Sequence, residues 1–184
     1  MAGIKVTKTR IDGLVVIEPQ VLGDNRGYFM ETYHQQAFIE AGLNMAFVQD
    51  NQSMSRRGVL RGLHLQTKFS QGKLVRVVSG EVFDVGVDLR CGSPTYGKYV
   101  GMLLSEENKK MLYIPEGFAH GFLVLSDEAV FTYKCTQFYH PEFDAGIVWN
   151  DPDIAIDWPI NGLEPILSEK DRKQPALRQV GFML

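Results

Sequence analysis

The clearest strand signal in this sequence is the stretch Val82-Phe83-Asp84-Val85-Gly86-Val87-Asp88-Leu89. Its odd-numbered residues are all apolar, whereas the even-numbered residues after Val82 are aspartate or glycine. Successive side chains of a β-strand point to opposite faces, so this alternation predicts a strand with one apolar face. Asp84 and Asp88 then share the other face of the strand.

Short runs of β-branched and aromatic residues continue on both sides of this strand, from Val59 to Val148. Turns that contain Gly, Pro or Asn separate these runs, a pattern typical of an antiparallel sandwich or barrel. Helix is a minor component: residues His34 to Gly42 predict one short helix, and Ser168 predicts the start of another. The sequence therefore predicts a mainly β fold with a few short helices.

The length and composition fit one globular domain. The chain has 184 residues, of which 45% are apolar, enough to bury a sizeable core. No repeat, linker or low-complexity tract interrupts it, so we predict a single domain over residues 1–184. The net charge is −3 and no basic block is present, which argues against a nucleic acid as the main partner.

Membrane and export signals are missing from the sequence. The longest stretch without Asp, Glu, Lys or Arg, Gly117 to Ser126, is far shorter than the roughly 20 apolar residues that span a bilayer. The first residues lack the basic start and continuous apolar segment of a secretory signal. Cys91 and Cys135 form neither a disulfide framework nor a metal-type CxxC pair. We therefore predict a cytoplasmic protein with no membrane partner.

Two motifs resemble those of the cupin superfamily. The first is the run Gly58-Val59-Leu60-Arg61-Gly62-Leu63-His64-Leu65-Gln66, followed by Lys73 and Gly80. Cupins carry His-x-His and then Glu in this motif; here Gln66 replaces the second His, and Lys73 replaces the Glu. The second motif, Pro-x-Gly-x-x-His, is intact from Pro115 to His120. The resemblance implies a double-sheet jelly roll, a cupin-like barrel.

The two replacements change the chemistry that such a pocket can support. A divalent metal would have only His64, Gln66 and His120 as ligands and would face the ammonium of Lys73, which makes a poor donor set. We therefore predict no metal and no other cofactor. A positive side chain among histidines suits an anion instead, either a phosphate or the oxyanion that forms when a proton leaves a carbon beside a ketone.

Two further predicted strands carry side chains that can enter a cavity. One bears an alternating polar stripe, which either faces water or lines the site of a hydrophilic ligand. The stripe consists of Gln49, Asn51 and Ser53. The other strand, predicted from Glu128 to Tyr139, places Tyr133 and Tyr139 on one side, where the two phenols serve either packing or a site.

Several runs look like those of the dTDP-4-dehydrorhamnose 3,5-epimerase family, and they extend over most of the chain. The runs are residues 23–31, 47–51, 59–64, 71–76, 80–85, 114–122 and 149–152. The resemblance implies an isomerase that acts on a thymidine-diphospho 4-keto-6-deoxy sugar. It also implies that this substrate is epimerised at C3 and C5 on the way to dTDP-rhamnose, by a metal-free homodimer.

The resemblance implies a catalytic role for four residues. His64 is the base, Tyr133 the acid, and Asp171 the carboxylate that orients and charges the imidazole, while Lys73 stabilises an enolate oxygen. These roles make chemical sense for a 4-keto sugar. The ketone acidifies the protons on C3 and C5, and inversion needs a base on one face of the ring and an acid on the other.

The resemblance also implies the substrate-binding residues. Tyr139 matches the aromatic residue that stacks on thymine, and Asp144 stands where the family commonly has Glu at a contact position. The other matching contact positions are Arg26, Glu31, Gln49, Asn51, Arg61, His120 and Lys170. Strict alternation would place Arg61 and His64 on opposite faces, so we expect a bend or bulge at Gly62 if both reach one ligand.

Three alternatives remain open from the sequence. A related enzyme that epimerises only one carbon, or a ketoisomerase that makes another deoxysugar, would share His64 and Tyr133. A metal-dependent cupin dioxygenase is a different class, against which Lys73 and Gln66 argue. A non-catalytic sugar-binding module is the third, and it has no need for the combination of His64, Tyr133 and Asp171.

Overall fold

The computed structural model describes residues 3–180. Within this part of the chain, thirteen strands and two short α-helices form the fold. The strands are β1 (Ile4–Lys8), β2 (Val15–Pro19), β3 (Val21–Asp24), β4 (Gly27–Met30), β5 (Gln49–Arg56), β6 (Leu60–Gln66), β7 (Lys73–Ser79), β8 (Glu81–Asp88), β9 (Tyr99–Ser105), β10 (Met111–Ile114), β11 (Phe118–Val124), β12 (Glu128–Cys135) and β13 (Asp144–Gly146). The helices are α1 (Gln35–Glu40) and α2 (Glu169–Arg172), and 3-10 turns lie at Pro141–Phe143 and Leu177–Gln179.

Eleven of these strands form two antiparallel sheets. The six-stranded sheet has the order β1-β2-β10-β7-β12-β5, and the five-stranded sheet has the order β13-β6-β11-β8-β9. Strands β3 and β4 pair as a hairpin and have no other strand partner within residues 3–180. Strands that are distant in sequence are neighbours in both sheets, as a jelly roll requires. The predicted mainly β, double-sheet fold with a few short helices is confirmed.

An apolar core joins the two sheets. Val75 and Phe131 of the six-stranded sheet pack with Val82, Leu104 and Phe122 of the five-stranded sheet, and all five are buried. Each such side chain contributes about 1.5–3 kcal/mol of hydrophobic free energy when it leaves water. Burial of these side chains therefore holds the two sheets together.

Strand β8 confirms the predicted alternation and has both faces covered. Val85 lies on the outer face and belongs to the same buried cluster as Trp158 of the C-terminal segment. The opposite face carries Asp84 and Asp88, which are fully buried. The aspartate face therefore turns into the protein.

Both predicted helices are present, and each has a side-chain cap. The imidazole of His34 accepts a hydrogen bond from the backbone N–H of Ala37 at the start of α1. Ser168 Oγ accepts a hydrogen bond from the backbone N–H of Asp171 at the start of α2. Phe38 of α1 is buried in the cluster that covers the outer face of the six-stranded sheet.

The strand predicted from Glu128 to Tyr139 is too long, because β12 ends at Cys135. Its neighbour β5 begins at Gln49, directly opposite Cys135, so no partner strand continues the ladder beyond that residue. Thr136 then bonds through its hydroxyl to Gly72 and Glu116. Tyr139 is consequently carried by a segment that follows the strand.

Two smaller findings concern the remaining sequence predictions. Both cysteines are unpaired, Cys91 at the surface and Cys135 buried. No helix within residues 3–180 is long and apolar enough to cross a membrane.

Candidate active site

A cavity of about 670 Å³ opens between the two sheets, and it gathers nearly all the predicted site residues. Its walls include strands β5, β7 and β12 on one side and β6 and β11 on the other, with α2 at its edge. The predicted residues that line it are His64, Lys73, Tyr133, Asp171, Gln49, Asn51, Arg61, His120, Tyr139, Asp144 and Lys170. Arg26 and Glu31 are not among them. The polar stripe on β5 faces inward.

An irregularity in β6 lets residues of both parities reach this cavity. The register between β11 and β6 shifts between His120 and Phe122, where a bulge interrupts the ladder. Gly62 has φ +112°, and a Cβ there would lie 2.6 Å from the backbone oxygen of His120. Only glycine fits such a conformation and such a close approach. The bulge expected at Gly62 is therefore present, and Arg61 and His64 both line the cavity.

His64 is bound to a buried carboxylate at the wall of the cavity. Its Nε2 lies 2.5 Å from Oδ1 of Asp171, whose side chain is almost fully buried. Burial alone would raise the pKa of Asp171, but the contacts with His64, Ser168 and Lys170 outweigh it and lower that pKa. Asp171 is therefore held as an anion that orients the imidazole through Nε2.

Tyr133 enters the cavity from the sheet opposite His64. It lies on β12, paired with Val75 and Asn51 of the neighbouring strands, while His64 lies on β6. Burial is the main cause that raises the pKa of Tyr133, so its phenol keeps its proton at neutral pH. The cavity thus presents an imidazole on one wall and a neutral phenol on the other.

Lys73 is a buried cation in the same cavity. The residue is only slightly exposed, and it lines the cavity. Burial lowers the pKa of Lys73, and the nearby acidic groups of Cys135, Asp144 and Asp84 oppose this effect only in part. A buried ammonium at a cavity wall is suited to a negatively charged oxygen of a ligand.

His120 forms a second histidine–carboxylate pair, deeper in the cavity. It lies directly opposite His64 in the β11–β6 ladder, and its Nε2 is 2.8 Å from Oδ2 of Asp84. Its ring stacks on that of Phe131, with the two ring planes 20° apart. Oδ1 of Asp84 has no hydrogen-bond partner among the described residues. The imidazole of His120 is therefore held by the ring of Phe131 and by the carboxylate of Asp84.

Tyr139 lies at the rim of the cavity with its hydroxyl fixed. The phenol donates a 2.7 Å hydrogen bond to Oδ2 of Asp144, which raises the pKa of Tyr139 to about 12. The same carboxylate oxygen pairs with Lys170 of α2. Tyr139 is 52% exposed, so about half of the residue's surface is open to solvent at this rim.

Arg26 and Glu31 lie outside the cavity of this chain. Arg26 is in the β3–β4 turn, where its guanidinium pairs with Asp24 and is exposed to water. Glu31 follows β4 and is half-buried, with Oε2 unpartnered among the described residues. Arg26 and Glu31 are therefore the two predicted site residues that the structure does not place with the eleven in the cavity.

The donor set for a metal is poor in this geometry. Gln66 lines the cavity, but its amide donates to the backbone oxygens of Phe69 and Phe138, and its oxygen accepts from His140 N–H. Across residues 3–180, no group of three His, Cys, Asp or Glu side chains stands close enough to hold a metal ion. The prediction that the enzyme uses no metal or cofactor stays a prediction.

The sequence analysis missed two kinds of site residue. Asp84 bonds to His120 behind the cavity wall, and the alternation that makes one face of β8 apolar had already marked it. Gln71 belongs to a run that resembles the family, but its contact had no signal, because a glutamine that bonds to a distant backbone leaves no periodic pattern. Ile166 and Leu167 of the C-terminal segment also line the cavity and were not predicted.

The fold and the cavity together define a cupin-type jelly roll that brings an imidazole, a phenol and a buried lysine into one cavity. The chain belongs to the dTDP-4-dehydrorhamnose 3,5-epimerase family, whose sequence model matches residues 8–179. A dTDP-4-dehydrorhamnose 3,5-epimerase of Methanothermobacter thermautotrophicus is 59% identical over 180 residues, which cover 97% of each chain. The predicted family and the isomerase class are confirmed.

Solved structures show the same similarity. A dTDP-6-deoxy-D-glucose-3,5-epimerase of Legionella pneumophila, in complex with dTDP-4-keto-L-rhamnose, has a TM-score of 0.93 and 52% identity and covers 96% of this chain and 94% of its own. A 3'-monoepimerase of Streptomyces bikiniensis, in complex with dTDP-quinovose, has a TM-score of 0.86 and 34% identity. It covers 92% of this chain and 86% of its own.

Proposed function

We propose that this protein epimerises dTDP-4-dehydro-6-deoxy-D-glucose at C3 and C5 to give dTDP-4-dehydro-L-rhamnose, in the biosynthesis of dTDP-rhamnose. The observation that carries this proposal is the placement of His64 and Tyr133 on opposite walls of one cavity that also holds buried Lys73. Inversion of a carbon beside a ketone needs this arrangement, because the proton must leave from one face and return to the other.

The residues divide the reaction into two proton transfers at each carbon. His64 accepts the proton from the carbon through Nδ1, and the C–H electron pair moves into an enolate whose negative charge is on the C4 oxygen. Asp171 stabilises the imidazolium that results. Lys73 stabilises the enolate, and Tyr133 then delivers a proton to the opposite face of the same carbon while the C4 ketone re-forms.

The other cavity residues suit the thymidine diphosphate. Arg61 and Lys170 supply cations for the phosphates, and Arg61 is held in place by a 3.0 Å hydrogen bond from its Nε to Ser55. Tyr139 offers its open ring to thymine, since planar bases stack on flat aromatic faces. His120, Gln49, Asn51 and Asp144 complete the set of substrate-binding residues that we assign.

A homodimer would explain how Arg26 and Glu31 contact the substrate although they lie outside the cavity of their own chain. Arg26 and Glu31 belong to an exposed hairpin region, whose apolar side chains Leu22, Tyr28 and Phe29 are each more than half exposed. We infer that this hairpin packs on a second copy of the chain and serves the cavity of that copy. The unpaired cysteines fit a reducing compartment, and we assign the enzyme to the cytoplasm.

A mixing experiment tests the shared site. The Arg26→Ala variant keeps His64 in its own cavity but supplies no arginine to the cavity of its partner. The His64→Ala variant lacks the base but supplies Arg26 to its partner. Each variant alone should be nearly inactive, and unfolding and refolding the two together should restore activity in the mixed dimers. If the mixture is no more active than the separate variants, Arg26 does not act across an interface.

The alternative function is epimerisation at a single carbon. The similarity to the Streptomyces bikiniensis 3'-monoepimerase supports this alternative. The two functions differ in which carbons exchange their proton with solvent. The enzyme is incubated with dTDP-4-dehydro-6-deoxy-D-glucose in D₂O, and NMR follows the label. Deuterium at both C3 and C5 is the expected result. Label at one carbon supports the alternative, and no label at either carbon contradicts both functions.

A further inference from the structure

The segment that carries Tyr139 is held by side chains rather than by a strand. After β12 ends, the backbone of residues 137–140 has no ladder partner, and a side chain of β6 takes over. Gln66 Nε2 donates a 3.2 Å hydrogen bond to the backbone oxygen of Phe138, and Gln66 Oε1 accepts a 2.6 Å bond from His140 N–H. The two groups that Gln66 holds flank Tyr139 on both sides.

Two more glutamines bond to the same segment. Gln71 Nε2 donates a 2.9 Å hydrogen bond to the backbone oxygen of Gln137, and Gln49 Oε1 accepts a 2.9 Å bond from Tyr139 N–H. We call Gln49, Gln66 and Gln71 the glutamine clamp. Its members come from β5, β6 and the approach to β7, so elements of both sheets converge on four consecutive residues.

Burial makes these bonds specific. Gln66 is 3% exposed and Gln71 is 8% exposed. A buried carboxamide that lacks partners is strongly unfavourable, so each glutamine is stable only in the geometry that satisfies its amide. Gln66 satisfies both ends of its amide, because Nε2 also donates to Phe69 at 2.7 Å. The backbone around Tyr139 is therefore confined to one position.

Tyr139 is thereby held at its backbone and at its hydroxyl, while about half of its surface stays exposed. The clamp holds its backbone, and Asp144 accepts the hydrogen bond from its hydroxyl. A side chain at the rim with half its surface exposed would otherwise sample several rotamers and lose that freedom when a ligand stacks on it. Fixing it beforehand removes this loss from the free energy of binding.

We propose that Gln66 and Gln71 are positioning residues that hold Tyr139 in place for the nucleobase of the substrate. The inference rests on the proposed function, which assigns thymine to that ring. Gln66 stands where cupins have a metal-ligating histidine, so the position has a new task here: it supports the nucleotide end of the site. The clamp then acts on nucleotide affinity, and the proton transfers at the sugar depend on it much less.

Calorimetric titration of the full-length protein with dTDP tests this inference. Gln66→Leu removes all hydrogen bonds of the amide while it keeps the approximate volume. We expect the Kd for dTDP to rise about tenfold, or about 1.4 kcal/mol, because all three hydrogen bonds of the amide are lost. Gln71→Leu, which removes a single bond, should raise the Kd by about threefold and serves as the second variant if Gln66→Leu unfolds. Gln36→Leu, on the exposed face of α1, is the matched control and should bind like wild type.

Two further readouts separate positioning from a general structural effect. Inorganic pyrophosphate has no base to stack, so its Kd should change by less than about twofold in Gln66→Leu. In a Tyr139→Ala background, Gln66→Leu should also change the Kd for dTDP by less than about twofold, because the ring that it positions is gone. In turnover with the sugar nucleotide, KM should rise while kcat stays within about threefold.

Several outcomes would overturn the inference. Wild-type affinity for dTDP in both glutamine variants would show that the clamp does not serve binding. Equal losses for dTDP and pyrophosphate, or equal losses with and without Tyr139, would show that the effect does not pass through the ring. Wild-type affinity in Tyr139→Ala would contradict the thymine assignment as well. A missing proton exchange at C3 and C5 would contradict only the proposed reaction, because the titration uses dTDP alone.

Discussion

Two histidines that line the cavity, His64 and His120, each pair with an aspartate, and the two pairs differ in their surroundings. The side chain of His64 is 34% exposed, whereas that of His120 is 10% exposed and stacked on Phe131. Asp171 has its charge stabilised by Ser168 and Lys170 in addition to His64. Asp84 bonds to His120 and lies near Lys73, and its other oxygen has no hydrogen-bond partner among the described residues.

This difference indicates a division of labour between two pairs of the same composition. A base must gain and lose a proton during each turnover, which requires access to the ligand and a stabilised counter-charge behind the ring. A substrate-binding donor must instead stay in one position, and close packing with a single carboxylate partner provides that. We therefore assign proton transfer to the His64–Asp171 pair and substrate contact to the His120–Asp84 pair.

The largest expected effect tests the first assignment. His64→Ala should lower the rate of deuterium incorporation at C3 and C5 by about 1,000-fold or more, because it removes general base catalysis at both carbons. Calorimetry should show that dTDP still binds with nearly wild-type affinity. A variant that still incorporates deuterium at close to the wild-type rate would show that another group is the base.

Lys73 lines the same cavity as His64 and His120, and its removal should separate activity from stability. Lys73→Met should lower turnover by about 100- to 1,000-fold, since a good oxyanion donor contributes roughly 2.7 to 4 kcal/mol. The same change should raise the free energy of unfolding by about 1 to 3 kcal/mol, because an apolar side chain replaces a buried charge. Urea denaturation at pH 7 measures this. A loss of both activity and stability would mean that Lys73 has a structural partner in the folded protein.

A matched pair of isosteric variants sharpens the comparison itself. Asp84→Asn and Asp171→Asn each replace one carboxylate by an amide of the same shape. Asp171→Asn should lower kcat by about 100-fold with little change in KM, whereas Asp84→Asn should raise KM by about tenfold with kcat within about threefold. Steady-state kinetics with a coupled 4-keto-sugar reductase distinguishes the two. The same pattern in both variants would remove the distinction between the pairs.

The sequence predicted this site well wherever strand parity or a motif determined the position of a side chain. The alternation in β8 and the two cupin-like motifs were sufficient for the jelly roll and for the placement of His64, Lys73 and His120 in one interior. The bulge at Gly62 followed from the need for Arg61 and His64 to reach one ligand. In each case the information was local, because period and spacing decide which face of a strand a residue occupies.

What the sequence could not predict depends on contacts between distant parts of the chain. The end of β12 is set by where β5 begins, which the residues of β12 do not encode. The glutamine clamp consists of side chains that bond to a backbone 66 to 90 positions away, and such bonds have no period. Arg26 lies in a surface hairpin outside the cavity, and its strand pattern does not indicate what it contacts.

The smallest expected effect concerns the acid stability that the His64–Asp171 pair gives to the fold. The folded state lowers the pKa of Asp171 below its unfolded value of about 3.9. This carboxylate therefore adds stability that is fully present above about pH 4 and is lost as the pH falls through the lower, folded-state pKa. Asp171→Asn should be about 1 to 2 kcal/mol less stable than wild type at pH 7, and the difference should shrink toward pH 3. Urea denaturation at both pH values measures it, and a difference that is independent of pH would show that the charge of Asp171 does not stabilise the fold.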